Sequence, residues 1–205
     1  MIEVELKCDL SSESLLILQE KLRTTKFHKR VMNSDVYYDT STLDLLRQAV
    51  FVRVRNNYQL QFKFNERQDI AHVQCIERIF SLPLDQVSAE EANSLFARFL
   101  PIWSNAFRLE TVIDKNGLIE LAHIENTREV YSSDNMYLCI DHVKGLGDFL
   151  EIEMQSEEDA NTSEALSKLQ TFASDINLKP INIGYVEMWL RGHNSQAYQL
   201  SKYRL

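Results

Sequence analysis

Polar and apolar residues alternate singly along much of this chain, in runs at roughly 2–8, 30–39, 49–56, 58–65, 70–81, 118–131, 135–143 and 147–155. A period of two is the signature of a β-strand with two unlike faces. A further stretch at 106–114 reads as a strand or a strand extension. Elsewhere the spacing turns helical. Residues 11–26 open on Ser11-Ser12-Glu13, a cap pattern, and Leu15, Leu18 and Leu22 then recur at helical intervals. Residues 88–99 open on Ser88-Ala89-Glu90-Glu91, which reads as a capping box. Residues 157–174 and 183–204 read as C-terminal helices separated by a break near Pro180. About eight strands with few helices predict an α+β fold: a closed antiparallel β-barrel with helices packed outside.

Composition narrows this picture. At 205 residues the chain suits one substantial domain, taken here as 1–205. No run approaches the ~18 consecutive apolar residues of a membrane span. The alternating, acidic start Met1-Ile2-Glu3-Val4-Glu5 does not read as a signal peptide. Cys8, Cys75 and Cys139 lie singly inside strand-like runs, which predicts buried reduced thiols and a cytoplasmic setting. A net charge of −8 argues against general nucleic-acid binding. Any site for a small anion must therefore gather its cations locally.

The direction of the charges shows where that gathering occurs. Residues two apart on a strand share a face. Glu3, Glu5 and Lys7 point together, opposite Val4, Leu6 and Cys8; Glu151 and Glu153 share a face backed by Leu150, Ile152 and Met154. Arg53 and Arg55 share a face, and Lys63 lies with Gln59 and Gln61 on the next strand. Polar-out, apolar-in alternation also describes any half-exposed antiparallel sheet. Here, however, the signs are segregated: carboxylates are doubled on two strands and cations concentrated on one hairpin. Like charges side by side are destabilising, so a solvated sheet usually mixes them. Arg53, Arg55 and Lys63 fall on one face if the hairpin loop has an odd length, such as Asn56-Asn57-Tyr58. Clustered cations facing clustered carboxylates suit a polyanion held together with metal ions.

These blocks resemble a known family. Glu3-Val4-Glu5-Leu6-Lys7 resembles the ExExK motif of the CYTH proteins, or triphosphate tunnel metalloenzymes. Asp35-Val36-Tyr37-Tyr38-Asp39-Thr40, Phe51-Val52-Arg53-Val54-Arg55, Gln61-Phe62-Lys63 and Thr127-Arg128-Glu129-Val130-Tyr131 are similar, in order, to its later strands. The stretch from Asp141 through Gly145-Leu146-Gly147 to Glu151-Ile152-Glu153 resembles its closing block. The resemblance implies a tunnel whose acidic pairs bind a divalent metal and whose basic residues bind a triphosphate. Family activities include hydrolysis of inorganic or thiamine triphosphate, removal of RNA 5′-triphosphates, and cyclisation of ATP by class IV adenylyl cyclases. Two positions depart from the pattern. Thr127 stands where some members have lysine, and Cys139 where thiamine-triphosphatase-like members have an acid. With Met1 and Ile2 before Glu3 in this sequence, the His-Phe of the extended cyclase signature is not expected.

The expected metal ligands are Glu3, Glu5, Glu151 and Glu153, with Asp141 a weaker candidate and Glu77 a further one, for Mg²⁺ or Mn²⁺. Lys7, Arg53, Arg55, Lys63 and Arg128 are expected to clamp the triphosphate. Lys7, Glu5 and Arg53 are assigned to catalysis. Lys7 can move a proton only if neighbouring cations depress its pKa against the pull of nearby carboxylates. The leading expectation is a metal-dependent triphosphate hydrolase. A class IV adenylyl cyclase is the alternative enzyme, and a non-catalytic polyphosphate- or nucleotide-binding module the alternative of another class. His28, His72, His123, His142 and His193 are dispersed without zinc spacing and read as surface residues. Tyr37, Tyr38, Trp103 and Trp189 read as packing residues.

Overall fold

The computed structural model describes residues 2–65, 74–156 and 162–204. Eight antiparallel strands close into a barrel: β1 (Ile2–Asp9), β2 (Lys26–Asp39), β3 (Phe51–Arg55), β4 (Gln59–Phe64), β5 (Gln74–Ser81), β6 (Ile119–Ser133), β7 (Met136–Val143) and β8 (Gly147–Ser156). Their order is β5-β4-β3-β2-β6-β7-β8-β1, and β1 pairs back onto β5. A short β9 (Pro180–Ile181) adds to β1 near the predicted break. The expected start of β5 at 70–73, His72, and the first residues of the helix predicted from 157 lie outside the described residues.

The helices are α1 (Ser12–Leu22), α2 (Gln86–Phe99), α3 (Leu109–Asn116), α4 (Thr162–Asp175), α5 (Tyr185–His193) and α6 (Ser195–Leu200). Helix α3 replaces the strand expected at 106–114. Leu109, Val112 and Ile113 recur at helical spacing and turn toward the core, and Gly117 ends the helix at φ +60. Helix α1 stops at Leu22 rather than 26. There the Thr24 and Thr25 hydroxyls donate back to the Lys21 and Leu22 carbonyls, at 3.0 and 2.8 Å. Strand β2 then begins at Lys26, ahead of the expected residue 30; its first five residues are exposed on both faces and carry no alternation. Helix α2 is capped by Asp85, whose Oδ1 accepts from the Ser88 amide at 2.7 Å, and not by Ser88. The expected helix at 183–204 is two, broken at Asn194, which caps α6.

The barrel is apolar on the outside. Val52, Val54, Leu60 and Phe62 on β3 and β4 pack with Ala92 and Phe96 of α2. The rings of Phe62 and Phe96 meet edge-on at 4.7 Å, and Trp103 stacks on Phe96 at 4.3 Å. On the far side Val4, Leu6, Leu150 and Ile152 pack with Leu18 of α1 and Leu169 of α4. One end of the barrel is different: Ile124, Val143 and Phe149, on the inward faces of their strands, meet Val186 and Leu190 of α5. Helix α5 thus covers that end. With apolar surface committed to the outside and to this end, the remaining interior is left to charged residues. Among the described residues no helix is long and apolar enough to cross a membrane.

The β3–β4 hairpin sets the interior on this side. Its loop is the odd, three-residue Asn56-Asn57-Tyr58, so Arg55 faces Gln59, Arg53 faces Gln61 and Phe51 faces Lys63. Asn56 and Asn57 supply the positive φ, 52° and 60°. The Asn56 side chain ties the turn to β2, accepting from the Ser34 amide at 2.8 Å and donating to the Met32 carbonyl at 3.2 Å.

Candidate active site in the barrel

The inward faces enclose a cavity of about 210 Å³. Among the described residues its lining carries seven carboxyl side chains against the five cations Lys7, Arg53, Arg55, Lys63 and Arg128. All five predicted phosphate-binding residues therefore meet in one place. They do not face the carboxylates across open space but interlock with them. Lys63 Nζ donates to Glu5 Oε2 at 2.7 Å and to Glu3 Oε1 at 3.2 Å. Lys7 Nζ lies 2.8 Å from Glu151 Oε1. Arg55 forks onto both oxygens of Asp35 at 2.7 Å, and Arg53 reaches Asp35 at 3.2 Å and Glu77 at 3.3 Å. Arg128 bridges Asp141, Glu151 and Glu153.

The carboxylates divide by environment. Oxygens of Glu5, Glu151 and Glu153 all lie within 4.8 Å of one another, an all-oxygen donor set that fits a hard divalent cation. This follows from register, since β1 lies beside β8 with Glu5 opposite Glu153 and Lys7 opposite Glu151. Glu3 sits one step outward on Lys63, and Glu77 on Arg53. Asp141 is fully buried behind Arg128. Its Oδ1 accepts from Arg128 Nε at 2.7 Å and Asn126 Nδ2 at 3.0 Å, and its Oδ2 from Arg128 at 2.5 Å and the Tyr185 hydroxyl at 2.7 Å.

Protonation follows from this crowding. Burial pushes the Glu5 carboxyl up, but Lys63 and Lys7 outweigh it and hold it at about 2. Burial likewise opposes ionisation of Glu151, and Arg128 and Lys7 hold it well below the carboxylate range. Glu153 goes the other way: burial, reinforced by the charges of Glu3, Glu151 and Glu5 and opposed by Arg128, raises it to about 8. For Glu3 the pull of Lys63 is overcome by burial together with Glu5 and Glu77, and its carboxyl is raised. Burial disfavours the Lys7 ammonium, but Glu151 and Glu5 more than restore it, so its pKa is raised. Lys7 is a held charge here, and the depression that proton transfer requires is absent.

Several lining residues escape the reading of charged pairs. Asp35 was visible only inside a longer motif, yet it orients both arginines of β3. Tyr37 is not a packing residue alone: its hydroxyl accepts from Arg53 at 3.0 Å. Gln61 Oε1 accepts from Arg53 Nε at 2.7 Å. The parity of Asp35 with Tyr37, and of Gln61 with Lys63, was the available signal. Tyr185 and Glu187 enter from α5, and nothing in the strand pattern points to a helix entering the barrel end. Tyr38, Trp103 and Trp189 do pack against core clusters. His28, His123, His142 and His193 are exposed, and the three cysteines are buried and free.

The CYTH domain family profile matches residues 1–183. The chain belongs to the CYTH domain family. Among similar proteins is a provisionally named adenylate cyclase of Methanocaldococcus jannaschii, 24% identical over 194 residues, covering 92% of this chain and 98% of that protein. Among solved structures, a Pyrococcus horikoshii protein superposes with a TM-score of 0.68 at 23% identity, covering 93% of this chain and 99% of the other. A Hippeastrum protein superposes at 0.58 with 20% identity, covering 93% and 95%; it is described as a provisionally named adenylyl cyclase with a dominant triphosphatase activity. At these identities the superpositions speak to the fold. The CYTH match ends at residue 183, so α5 and its contribution to the cavity lie beyond it.

Proposed function

We propose that this CYTH protein is a divalent-metal-dependent hydrolase of inorganic or small organic triphosphates. The observation that carries the reading is the convergence of five cations and the Glu5–Glu151–Glu153 cluster on one buried cavity. Anion binding alone needs cations; three converging carboxylates serve a metal.

Glu5, Glu151 and Glu153 would hold Mg²⁺ or Mn²⁺, with Glu3 one step outward. When bound, the ion supplies neutralisation of phosphate charge and polarisation of a phosphoryl oxygen. The protein's own groups do the positioning. Arg53, Arg55 and Arg128 offer planar forks for phosphate oxygens, and Lys7 and Lys63 offer point charges. Their ion pairs keep these cations aimed inward, so a triphosphate exchanges one set of oxygens for another without reorganising the wall. Donors held fixed by their ion pairs would stabilise charge as it spreads over the transferred phosphoryl group. Lys7 and Arg53, among the most buried and constrained of the set, are assigned to that stabilisation. A cavity of about 210 Å³ is below the roughly 300–1,000 Å³ of drug-sized ligand pockets, which favours enclosure of a phosphate chain over a whole nucleotide.

The names of the relatives support a second reading, ATP cyclisation. The deciding assay incubates the protein with inorganic triphosphate, thiamine triphosphate or ATP, with Mg²⁺ or Mn²⁺ and with chelator, and identifies products by mass. Metal-dependent phosphate release is expected. Cyclic AMP with pyrophosphate would replace hydrolysis by cyclisation, and tight binding without turnover would leave a binding module.

A further inference from the structure

Helix α5 places one aromatic side chain against both walls of the cavity. It is anchored by Val186 and Leu190, buried against Ile124 and Phe149, and the Gly184 amide donates to Glu187 Oε2 at 3.1 Å across its first turn. Tyr185 is thereby fixed at the barrel end, its ring 5.2 Å from that of Phe149. On one side Lys7 Nζ lies 4.3 Å from the Tyr185 ring centroid, within cation–π range. On the other, the Tyr185 hydroxyl donates to Asp141 Oδ2 at 2.7 Å. Asp141 also receives Arg128 Nε, a second Arg128 nitrogen and Asn126 Nδ2. Four donors fill the four acceptor directions of a carboxylate. Asp141 therefore has no lone pair left for an ion and acts on Arg128 instead.

We infer that Tyr185 is a positioning residue for two of the triphosphate-binding cations, its ring seating Lys7 and its hydroxyl orienting Arg128 through Asp141. This rests on the hydrolase reading above and extends it to a helix outside the CYTH match. Burial, with Glu151 and Asp141 adding to it, holds the Tyr185 pKa well above that of a free phenol, which keeps the hydroxyl a donor. The two contacts separate by substitution: Tyr185→Phe keeps the ring and loses the donor, whereas Tyr185→Leu loses both.

The test compares folded wild type, Tyr185→Phe and Tyr185→Leu in metal-dependent hydrolysis of inorganic triphosphate. Losing a hydrogen bond to a charged group is expected to lower kcat about tenfold in Tyr185→Phe with a smaller change in KM. Tyr185→Leu should add a rise in KM as Lys7 is released. A double-mutant cycle with Asp141→Asn supplies a readout that general destabilisation does not move, because Tyr185→Phe should cost little once Asp141 is altered. If Asp141→Asn does not fold, the cycle is run with Arg128→Lys. Wild-type kcat and KM in both Tyr185 variants, or effects that add fully in the cycle, would overturn the inference. Should the wild type turn over no triphosphate, the hydrolase reading fails on its own. Stabilisation by inorganic triphosphate with Mn²⁺ then decides: weaker stabilisation of Tyr185→Leu supports the inference, and equal or absent stabilisation overturns it.

Discussion

Glu153 holds its proton against three neighbouring carboxyls, and this has a measurable consequence. Its pKa is about 8 in the folded protein, whereas an ordinary glutamate ionises near 4.5. The folded state thus binds this proton more tightly than the unfolded chain, and stability falls as pH rises from about 4.5 through 8. Glu5, held at about 2, and Glu151, held low, contribute stability above pH 4.5 that is lost only in acid, so they leave this window clear. Melting temperature of chelator-treated protein should therefore drop between pH 5 and 8, and Glu153→Gln should flatten the slope. Equal slopes in the two proteins would refute the assignment. Metal binding near pH 7 should also release a proton, read by calorimetry as a binding enthalpy that depends on the buffer. The inward glutamates were legible because like-charged pairs two apart are conspicuous. Their unequal protonation was not, because it depends on which strand lies beside which.

At the scale of elements, one loop decides whether the cations meet. Three residues between Arg55 and Gln59 keep Arg53, Arg55 and Lys63 on the inward face. Deleting Asn57 leaves a two-residue loop and exchanges the faces of β4 relative to β3, turning Leu60 and Phe62 inward. That variant should lose stabilisation by inorganic triphosphate and melt lower. Asn57→Gly keeps the length, accepts the positive φ, and should match or exceed wild-type stability by about 0–1 kcal/mol. A deletion variant that still binds like wild type would show that the loop does not set the parity. The outer face makes a different prediction. Phe96 is buried between Phe62 and Trp103, and Phe96→Ala should cost about 3–5 kcal/mol by urea titration while leaving the activity of the folded fraction intact. Strands were readable from sequence because each has two unlike faces. Helix α3 is not separable from a strand by pattern, because Leu109, Val112 and Ile113 fit a short strand as well as two helical turns. The first five residues of β2 were missed because exposure on both sides leaves no pattern.

At the scale of the molecule, the chain is net negative, and among the described residues the cavity lining sets seven acidic side chains, of which Glu153 holds its proton near neutral pH, against five cations. A triphosphate entering alone meets excess like charge in a buried site, where Coulomb repulsion is weakly screened. A divalent ion entering alone must compete with Lys7, Lys63 and Arg128 for Glu5 and Glu151. On the proposed reading each ligand would remove the obstacle to the other: the ion would neutralise the carboxylates, and the phosphate would draw the cations off them. Mutual dependence of this kind is a coupling free energy and is reciprocal. Melting curves should show small shifts with Mg²⁺ alone and with inorganic triphosphate plus chelator, and a shift well above their sum with both together. A ligand at about a hundred times its Kd contributes about 2.7 kcal/mol, so cooperative binding is readily separated from additive binding. Full stabilisation by triphosphate in the presence of chelator would mean that the five cations suffice as an anion site, and would leave Glu5, Glu151 and Glu153 without the role given to them here.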